Sequence, residues 1–527
     1  MYRILISALL MIASGGAFAD EYRWGDQADG SYANPILNAD YSDPDVIRVG
    51  DRFYMTCSEF HFMGMPILES EDMVNWRLIG RVYDSIDLPG YSVMAKYAEG
   101  TWAPALRYHD GKFYIYVCTP SEGLFMTTAT DPAGPWEPLH LVKGIEKWED
   151  PCPFWDEDGE AYLVRSRHRA GPIIIHRMSH DGRELLDDGV TVYHGPVAEG
   201  PKIFKKDGYY YISIPEGGVS TGWQTILRSR DIYGPYESRR VLETGSTRIN
   251  GPHQGALVDT PDGSQWWFYH FQNGGVRGRV VHLQPVEWRE GFPFIGADYD
   301  GNGIGEPMRF CPMPSITSSG EKFTISTSDD FSSPRVGLQW QFNHNPDTAF
   351  FAIDTINRSF DIIPQPADIL RNALNQLTQR LTGYRSEATV RLDFSMMQPG
   401  DRAGLECIGK EFHGAGVMIR EDGIPVIYAE ADSSAIVYTT PLPEKIGHVY
   451  LRLTADAPAN SFSFYYSLDG KDYTTVGEPF RMQSGFWKGV RPGLYAYTTS
   501  TIDAKGVKSV NPSKARFTTF RYHPTDP

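Results

Sequence analysis

The chain has 527 residues, more than one hydrophobic core usually organises, so several units of about 150 residues are expected. Hydrophobic residues make up 41% and charged residues 22%, which is typical of globular proteins and excludes disordered, collagen-like and membrane-embedded classes. The formal net charge is −17, with 66 acidic and 49 basic residues, and this charge argues against nucleic acid and anionic lipid as partners.

The first residues have the pattern of an export signal. Arg3 supplies a positive charge, residues 4–12 form an apolar run, and Ala17-Phe18-Ala19 resembles a cleavage site. The apolar run is shorter than the roughly 20 residues that span a bilayer, and no later segment is long and apolar enough, so no membrane insertion is expected. We therefore predict a signal peptide over residues 1–19 and a periplasmic or secreted mature chain starting near Asp20, with an uncleaved anchor as the alternative.

A turn followed by an aromatic-rich run recurs through the first 270 residues. The copies begin at Gly50, Asp110, Asp158, Asp207 and Asp262, between 48 and 60 residues apart. Asp-Gly favours hairpin turns, and the Tyr, Phe and Ile that follow favour strands. Five such units, each able to form a small antiparallel sheet, predict a five-bladed β-propeller over residues 20–310. A two-sheet sandwich is the alternative.

The composition changes after this repeat. Residues 311–333 are rich in Pro, Ser, Thr and Gly and are predicted to form a linker. Residues 334–527 contain alternating apolar and polar segments, which predict a C-terminal β-sandwich with one short helix around 367–377. The fold class is therefore all-β.

The five cysteines are an odd number, widely scattered, and show no metal-binding or disulfide-rich spacing; they are Cys57, Cys118, Cys152, Cys311 and Cys407. Buried thiols are predicted, with a single disulfide left open. No metal site follows from spacing, although a structural Ca²⁺ ion is left open because the chain is rich in Asp.

Three acidic residues precede blade repeats at a similar distance. Asp43 lies seven residues before its repeat, and Asp150 and Glu199 lie eight residues before theirs. This similar phase predicts equivalent positions in blades 1, 3 and 4, where innermost strands meet at one axial opening. The alternative is that Asp-Pro and Glu-Gly-Pro are only turn sequences.

The ordered motifs resemble those of glycoside hydrolase family 43. They are Asn34-Pro35-Ile36-Leu37 leading to Asp43-Pro44, Thr101-Trp102-Ala103-Pro104, Asp150-Pro151, Glu199-Gly200-Pro201, Gly251-Pro252-His253-Gln254 and Gly278-Arg279. Residues 338–346 are similar to the concanavalin-like sandwich that follows the propeller in the β-xylosidase and α-L-arabinofuranosidase branch. The resemblance covers nearly the whole predicted mature chain.

The resemblance implies that Asp43 is the general base, Glu199 the general acid, and Asp150 the residue that orients the acid and adjusts its pKa. Inverting hydrolysis needs a protonated carboxyl at the leaving oxygen and an ionised carboxylate that activates water on the opposite face. A third carboxylate nearby raises the pKa of the acid by repulsion, so Asp150 is expected to keep Glu199 protonated.

Four further residues are substrate-binding candidates by the same resemblance. Trp102 is expected to stack on the sugar and Phe60 to form a second apolar side. Arg279 is expected to donate hydrogen bonds to sugar hydroxyls, which its fixed fork of donors suits. His253 is expected near the propeller axis, shaping the pocket floor or lying beside an ion. For each, a structural role in the core or on the surface is the alternative.

The expected function is therefore an exported, inverting glycoside hydrolase that acts on an oligosaccharide and removes terminal β-D-xylosyl or α-L-arabinofuranosyl units without a cofactor. Two alternatives are an endo-arabinanase and a non-catalytic carbohydrate-binding propeller. The sequence does not give the oligomeric state or the preferred sugar.

Overall fold

The computed structural model describes residues 24–60, 64–169, 171–432, 435–500 and 513–526. The predicted signal peptide lies outside the described residues. The described chain is all-β, as predicted, with only three short 3₁₀ helices, Met94–Lys96, Gly275–Arg277 and Leu370–Asn372. Among these described residues no helix has the length and apolar character needed to cross a membrane.

Five four-stranded antiparallel sheets follow one another along the chain and confirm the predicted five blades. The strands of blades 1 and 2 are Asp45–Val49, Arg52–Thr56, Pro66–Ser70 and Arg77–Arg81, then Trp102–His109, Lys112–Thr119, Gly123–Ala129 and His140–Gly144. Those of blade 3 are Trp148–Trp155, Ala161–Arg167, Pro172–Met178 and Val190–His194. Those of blades 4 and 5 are Lys202–Lys206, Tyr209–Glu216, Trp223–Ser229 and Glu237–Leu242, then His253–Asp259, Trp266–Asn273, Arg279–Arg289 and Phe292–Ile295.

Asp-Gly pairs make the first hairpin turns of blades 2 and 4 because both residues adopt positive φ. Asp110 and Gly111 have φ of 45° and 77°, and Asp207 and Gly208 have φ of 49° and 73°. Two consecutive left-handed residues match the right-handed twist of the strands that they join.

The propeller is closed by contacts between its first and last blades. The innermost strand of blade 5 packs beside the innermost strand of blade 1, and Leu37 forms a bridge with Val281 in blade 5. A separate three-stranded sheet joins Gly25–Asp26, Ser31–Ala33 and Phe310–Pro312. The two ends of the propeller segment are therefore hydrogen-bonded to each other.

The stretch 311–333, predicted as a linker, is packed against both halves of the chain. Cys311 pairs with Tyr32 in the three-stranded sheet, and the Ser319 hydroxyl donates a 2.6 Å hydrogen bond to Glu71. Phe331 is buried in the core of the C-terminal domain. The composition indicated a linker but did not reveal the buried contacts that anchor it.

The C-terminal domain consists of two eight-stranded sheets. One contains Gln341–Phe342, Gln365–Pro366, Leu377–Thr378, Asp401–Ile408, Phe412–Ile419, Pro425–Glu430, Ile436–Pro441 and Arg491–Thr498. The other contains Phe351–Asp354, Ser359–Ile362, Arg385–Met396, His448–Asp456, Ser461–Ser467, Thr474–Thr475, Phe480–Arg481 and Lys514–Pro524. One large apolar core lies between them, as a sandwich requires.

The helix predicted around 367–377 is reduced to one turn, Leu370–Asn372, because Ile369 and Ala373 on either side have extended backbone conformations. The five cysteines are all buried free thiols, so the disulfide left open by the sequence does not form.

Buried polar contacts join the sandwich to the propeller. Arg380 of the sandwich forms an ion pair with Glu59 of the propeller, and both are buried. The Gly489 backbone N–H donates a 2.9 Å hydrogen bond to Asp40. These contacts hold the sandwich segment around Gly489 beside the start of blade 1.

Candidate active site

A pocket of about 80 Å³ opens where the innermost strands of the blades begin. Its walls contain Asp43, Phe60, Trp102, Ala103, Glu149, Asp150, His168, Glu199, Val219, His253, Gln254, Arg279 and Trp487. All seven residues singled out from the sequence lie in this set, although they come from five different blades. The structure therefore brings every sequence-predicted site residue to one cavity.

One backbone feature recurs in all five blades at the edge of this pocket. A residue in the left-handed region stands at the start of each innermost strand: Asp43, Ala103, Asp150, Gly200 and Gln254, with φ of 53°, 37°, 55°, 56° and 47°. Four of the five are not glycine, so the backbone there is strained.

In three blades this residue forms a β-bulge. The ladder register shifts between Trp102 and Ala105 in blade 2, between Glu149 and Cys152 in blade 3, and between His253 and Gly255 in blade 5. An extra residue changes the alternation of side chains, so two consecutive residues can line the same cavity. This is how both Glu149 and Asp150 reach the pocket.

The bulge register corrects one prediction. Glu199 stands one position before the left-handed Gly200, whereas Asp43 and Asp150 are themselves left-handed. Glu199 is thus equivalent to Glu149 rather than to Asp150. The count from the repeat was misleading because residues 156–160 make the first turn of blade 3 longer than those of blades 1 and 4.

Asp43 is buried and accepts hydrogen bonds from two neighbours. Its Oδ1 accepts a 2.6 Å bond from Arg279 Nη1, and its Oδ2 accepts a 2.6 Å bond from the Ser58 hydroxyl. The Ser58 hydroxyl oxygen itself accepts a 2.7 Å bond from the Ala103 N–H. Hydrogen bonds from blades 1, 2 and 5 therefore fix the positions of both Asp43 carboxylate oxygens.

Three other carboxyl groups form a cluster in the same pocket. Oxygens of Glu149, Asp150 and Glu199 all lie within 4.8 Å of one another. Asp150 Oδ2 accepts hydrogen bonds from the Gly200 N–H at 2.7 Å and from Gln254 Nε2 at 3.0 Å. Glu199 is hydrogen-bonded to His253 Nε2.

Burial and mutual repulsion distribute protons unevenly in this cluster. Burial, followed by the charges of Glu199 and Asp43, raises the pKa of Asp150 to about 7. Burial, followed by the charges of Asp150 and Glu199, raises the pKa of Glu149 to about 10. At neutral pH the cluster therefore retains protons.

The pKa of Glu199 differs from the expectation. Burial raises the pKa of Glu199. The hydrogen bond and charge of His253, followed by the charge of Arg279, lower this pKa by more than burial raises it, so the net shift is downward. The sequence predicted a raised pKa because it took Asp150 as an ionised neighbour and did not include His253. The raised pKa values favour protons on Asp150 and Glu149, whose carboxyl oxygens lie within 4.8 Å of those of Glu199.

Aromatic rings form an apolar wall of the pocket. The ring centres of Phe60 and Trp102 are 6.0 Å apart, and Trp487 lies 6.4 Å from Trp102, each pair meeting edge to face. The guanidinium carbon of Arg279 is 5.3 Å from the ring centre of Phe60 and 5.8 Å from that of Trp487. Trp487 belongs to the sandwich, so both domains build the pocket.

Sequence reasoning missed Glu149, His168 and Trp487. Glu149 was detectable because it directly precedes Asp150 in a bulged strand. His168 lies at the end of a hairpin, and Trp487 lies in a loop of another domain. Neither has a local signal, because only the docking of distant segments brings them to the pocket.

Comparisons with known proteins agree with this site. The family model Glycosyl hydrolases family 43 matches residues 32–293, and the model Beta xylosidase C-terminal Concanavalin A-like domain matches residues 328–523. A protein of Xylanibacter ruminicola with the provisional name beta-xylosidase is 53% identical over 92% of this chain and 89% of its own.

Two further proteins extend the comparison. A non-reducing end alpha-L-arabinofuranosidase of Bacteroides ovatus is 30% identical over 72% of this chain and 74% of its own. The GH43 BlXynB protein from Bacillus licheniformis is 25% identical in sequence to this chain. Its crystal structure superimposes with a TM-score of 0.81 over 94% of this chain and 100% of that one.

A propeller whose axial pocket gathers carboxyl groups against an aromatic wall defines a glycosidase, which cleaves glycosidic bonds with paired carboxyl groups. Its substrate is therefore an oligosaccharide. The chain belongs to glycosyl hydrolases family 43.

Proposed function

We propose that the chain removes terminal β-D-xylosyl or α-L-arabinofuranosyl units from hemicellulose-derived oligosaccharides, with inversion at the anomeric carbon. The observation that carries this proposal is the meeting of Asp43, Asp150 and Glu199 in one pocket. The similarity to proteins named beta-xylosidase and alpha-L-arabinofuranosidase supports the choice of sugars.

In the proposed reaction Asp43 is the general base. It takes a proton from water as the water oxygen bonds to the anomeric carbon. Glu199 gives its proton to the leaving glycosidic oxygen as that carbon–oxygen bond breaks. A carboxyl oxygen of Asp150 lies within 4.8 Å of one of Glu199, and its pKa of about 7 lets Asp150 exchange a proton near neutral pH, so it can supply the acid before each turnover.

Trp487 supports removal of single terminal sugars. It comes from the sandwich and, with Phe60 and Trp102, forms an apolar side of the pocket on which a sugar ring can pack. An endo-arabinanase needs an open groove that admits chain on both sides of the cleaved bond. Products from linear arabinan distinguish the two: monomers support the proposal, and oligomers support the endo enzyme.

The roles of the two carboxylates are tested with leaving groups of different acidity. Glu199→Ala is expected to lower kcat on xylobiose by about 10³-fold, but on dinitrophenyl xyloside by less than about tenfold, because that leaving group departs without a proton. Asp43→Asn is expected to lower both rates by a similar large factor. Equal effects of Glu199→Ala on both substrates contradict the assignment.

The stereochemistry of the first product provides an independent test. Proton NMR of the sugar released from a β-xyloside is expected to show the α-anomer before mutarotation. A β-anomer as first product contradicts inversion. A non-catalytic carbohydrate-binding protein, the remaining alternative, gives heat on calorimetric titration with xylobiose but no released xylose.

Two further parts of the proposal concern export and ions. Export through a signal peptide is supported by the sequence pattern alone, and mass spectrometry of the exported protein is expected to give a chain starting at Asp20.

The proposed reaction uses no cofactor. A structural Ca²⁺ ion stays a prediction, tested by comparing Tm in Ca²⁺ and in chelator; the Asp298, Asp300 and Glu306 oxygens lie within 4.8 Å of one another.

A further inference from the structure

Glu149 lies in the pocket but has no part in the proposed reaction. It occupies in blade 3 the place that Glu199 occupies in blade 4, directly before the left-handed residue. Only 5% of the residue is exposed, and one of its oxygens lies within 4.8 Å of oxygens of Asp150 and Glu199. Its carboxyl group is therefore close to the bond that the acid would cleave.

Glu149 is held by the segment that follows the second strand of blade 3. Its Oε2 lies 2.8 Å from His168 Nδ1, and the backbone N–H of Arg169 is a second hydrogen-bonding partner. The His168 ring in turn packs against Trp102, with ring centres 5.5 Å apart. Glu149 and His168 thus form a fixed polar unit beside the aromatic wall.

The chemistry of this pair suits a neutral hydroxyl group. Burial and the neighbouring carboxylates keep the pKa of Glu149 at about 10, so its carboxyl group carries a proton at neutral pH. Burial, followed by the charge of Arg169, lowers the pKa of His168, so its imidazole is neutral there. A protonated carboxyl group both donates and accepts hydrogen bonds, and two protein partners leave it capacity for another.

We propose that Glu149 and His168 are a specificity-determining pair that hydrogen bonds one hydroxyl group of the terminal sugar. This inference rests on the proposed function and adds a recognition element to it. A sugar that lacks the hydroxyl leaves a buried polar pair without its partner, and such sites reject the deoxy analogue strongly.

The test measures kcat/KM on nitrophenyl β-D-xylopyranoside and on its 2-, 3- and 4-deoxy analogues. The wild type is expected to lose about 100-fold or more on one of these analogues. Glu149→Ala is expected to lose activity on the parent glycoside, mainly through KM, and to show little further loss on that same analogue. Losses on the other two analogues are expected to stay as in the wild type.

Two variants separate recognition from folding. Glu149→Gln keeps a donor and an acceptor in nearly the same shape and is expected to retain discrimination against the deoxy analogue. His168→Ala leaves Glu149 in place without its support and is expected to weaken that discrimination. If Glu149→Ala does not fold, these two variants carry the same analogue series.

The outcomes are distinct. If Glu149→Ala and His168→Ala lose the same factor on every analogue as the wild type does, the pair is structural and the inference is wrong. A wild type that binds xylobiose and hydrolyses neither xyloside nor arabinofuranoside overturns the proposed function and this inference together. If the wild type prefers the arabinofuranoside, the deoxy arabinofuranosides replace the xylosides with the same expected pattern.

Discussion

Arg279 in the fifth blade donates a 2.6 Å hydrogen bond to Asp43 at the start of the first, so the proposed base is paired across the point where the ring of blades closes. Their side chains are only 10% and 4% exposed. The pair therefore links closure of the propeller to the position of a catalytic carboxylate, because separation of blades 1 and 5 would leave Asp43 without its guanidinium.

Arg279→Met is expected to destabilise the protein and to lower activity. Removing one member of a buried ion pair leaves an uncompensated charge, which costs about 3–5 kcal/mol, and Asp43 loses a group that orients it. We expect a clear fall in Tm and a loss of at least about 100-fold in kcat/KM.

Arg289→Met is the matched control, because Arg289 pairs with Glu287 on the surface, where both side chains are about half exposed or more. It should change Tm and activity little. Equal behaviour of the two variants would show that the Arg279–Asp43 pair has no special role.

Asp150 predicts a pH dependence of stability. Its folded pKa of about 7 lies above its ordinary value of 3.8, so the folded chain binds a proton there that the unfolded chain has released. The resulting contribution is fully present below about pH 4 and is lost as the pH rises towards 7. Asp150→Asn removes this titration.

Thermal melts of the wild type and Asp150→Asn between pH 4 and 8 measure this effect. The variant is expected to gain stability relative to the wild type as the pH rises, by an amount on the order of a few kcal/mol. Parallel curves for the two proteins over this range would rule out a raised pKa at Asp150.

Because Trp487 lines the pocket, we expect the sandwich to contribute to substrate binding. Trp487→Ala removes an aromatic surface from the pocket and is expected to raise KM about tenfold, with a small change in Tm because 41% of the residue is exposed. Phe486→Ala is the control: its residue is 63% exposed and does not line the pocket. An unchanged KM in Trp487→Ala would contradict the role of this loop.

The ion pair between Arg380 and Glu59 joins the sandwich to the propeller, so we expect docking of the sandwich to affect the pocket. Arg380→Met removes the nearer of the two arginines that pair with buried Glu59, next to Phe60, and is expected to cost about 3 kcal/mol and to lower kcat/KM. Arg420→Met, which breaks an exposed pair with Asp422, is the control. Differential scanning calorimetry and kinetics measure both effects, and a stable, fully active Arg380→Met would show that the pair is dispensable.

Local sequence signals predicted the elements well because their causes are local. Asp-Gly turns at 110 and 207 require left-handed backbone, and the aromatic runs after them form second strands in the blades. The three acids also reached one pocket as expected. The predicted phase of Glu199 was one residue out, because a bulge and a longer turn are invisible to a count along the chain.

The amino-acid sequence by itself determined the number of blades, the sandwich that follows them and seven of the residues that line the pocket, since repeated turns and alternating strands are properties of short segments. The tertiary structure alone decided the partners of those residues: His253 on Glu199, Arg279 on Asp43, Glu149 with His168, and Trp487 from the other domain. Protonation and pocket shape depend on burial and on charges from distant segments, and those distances exist only after the chain has folded.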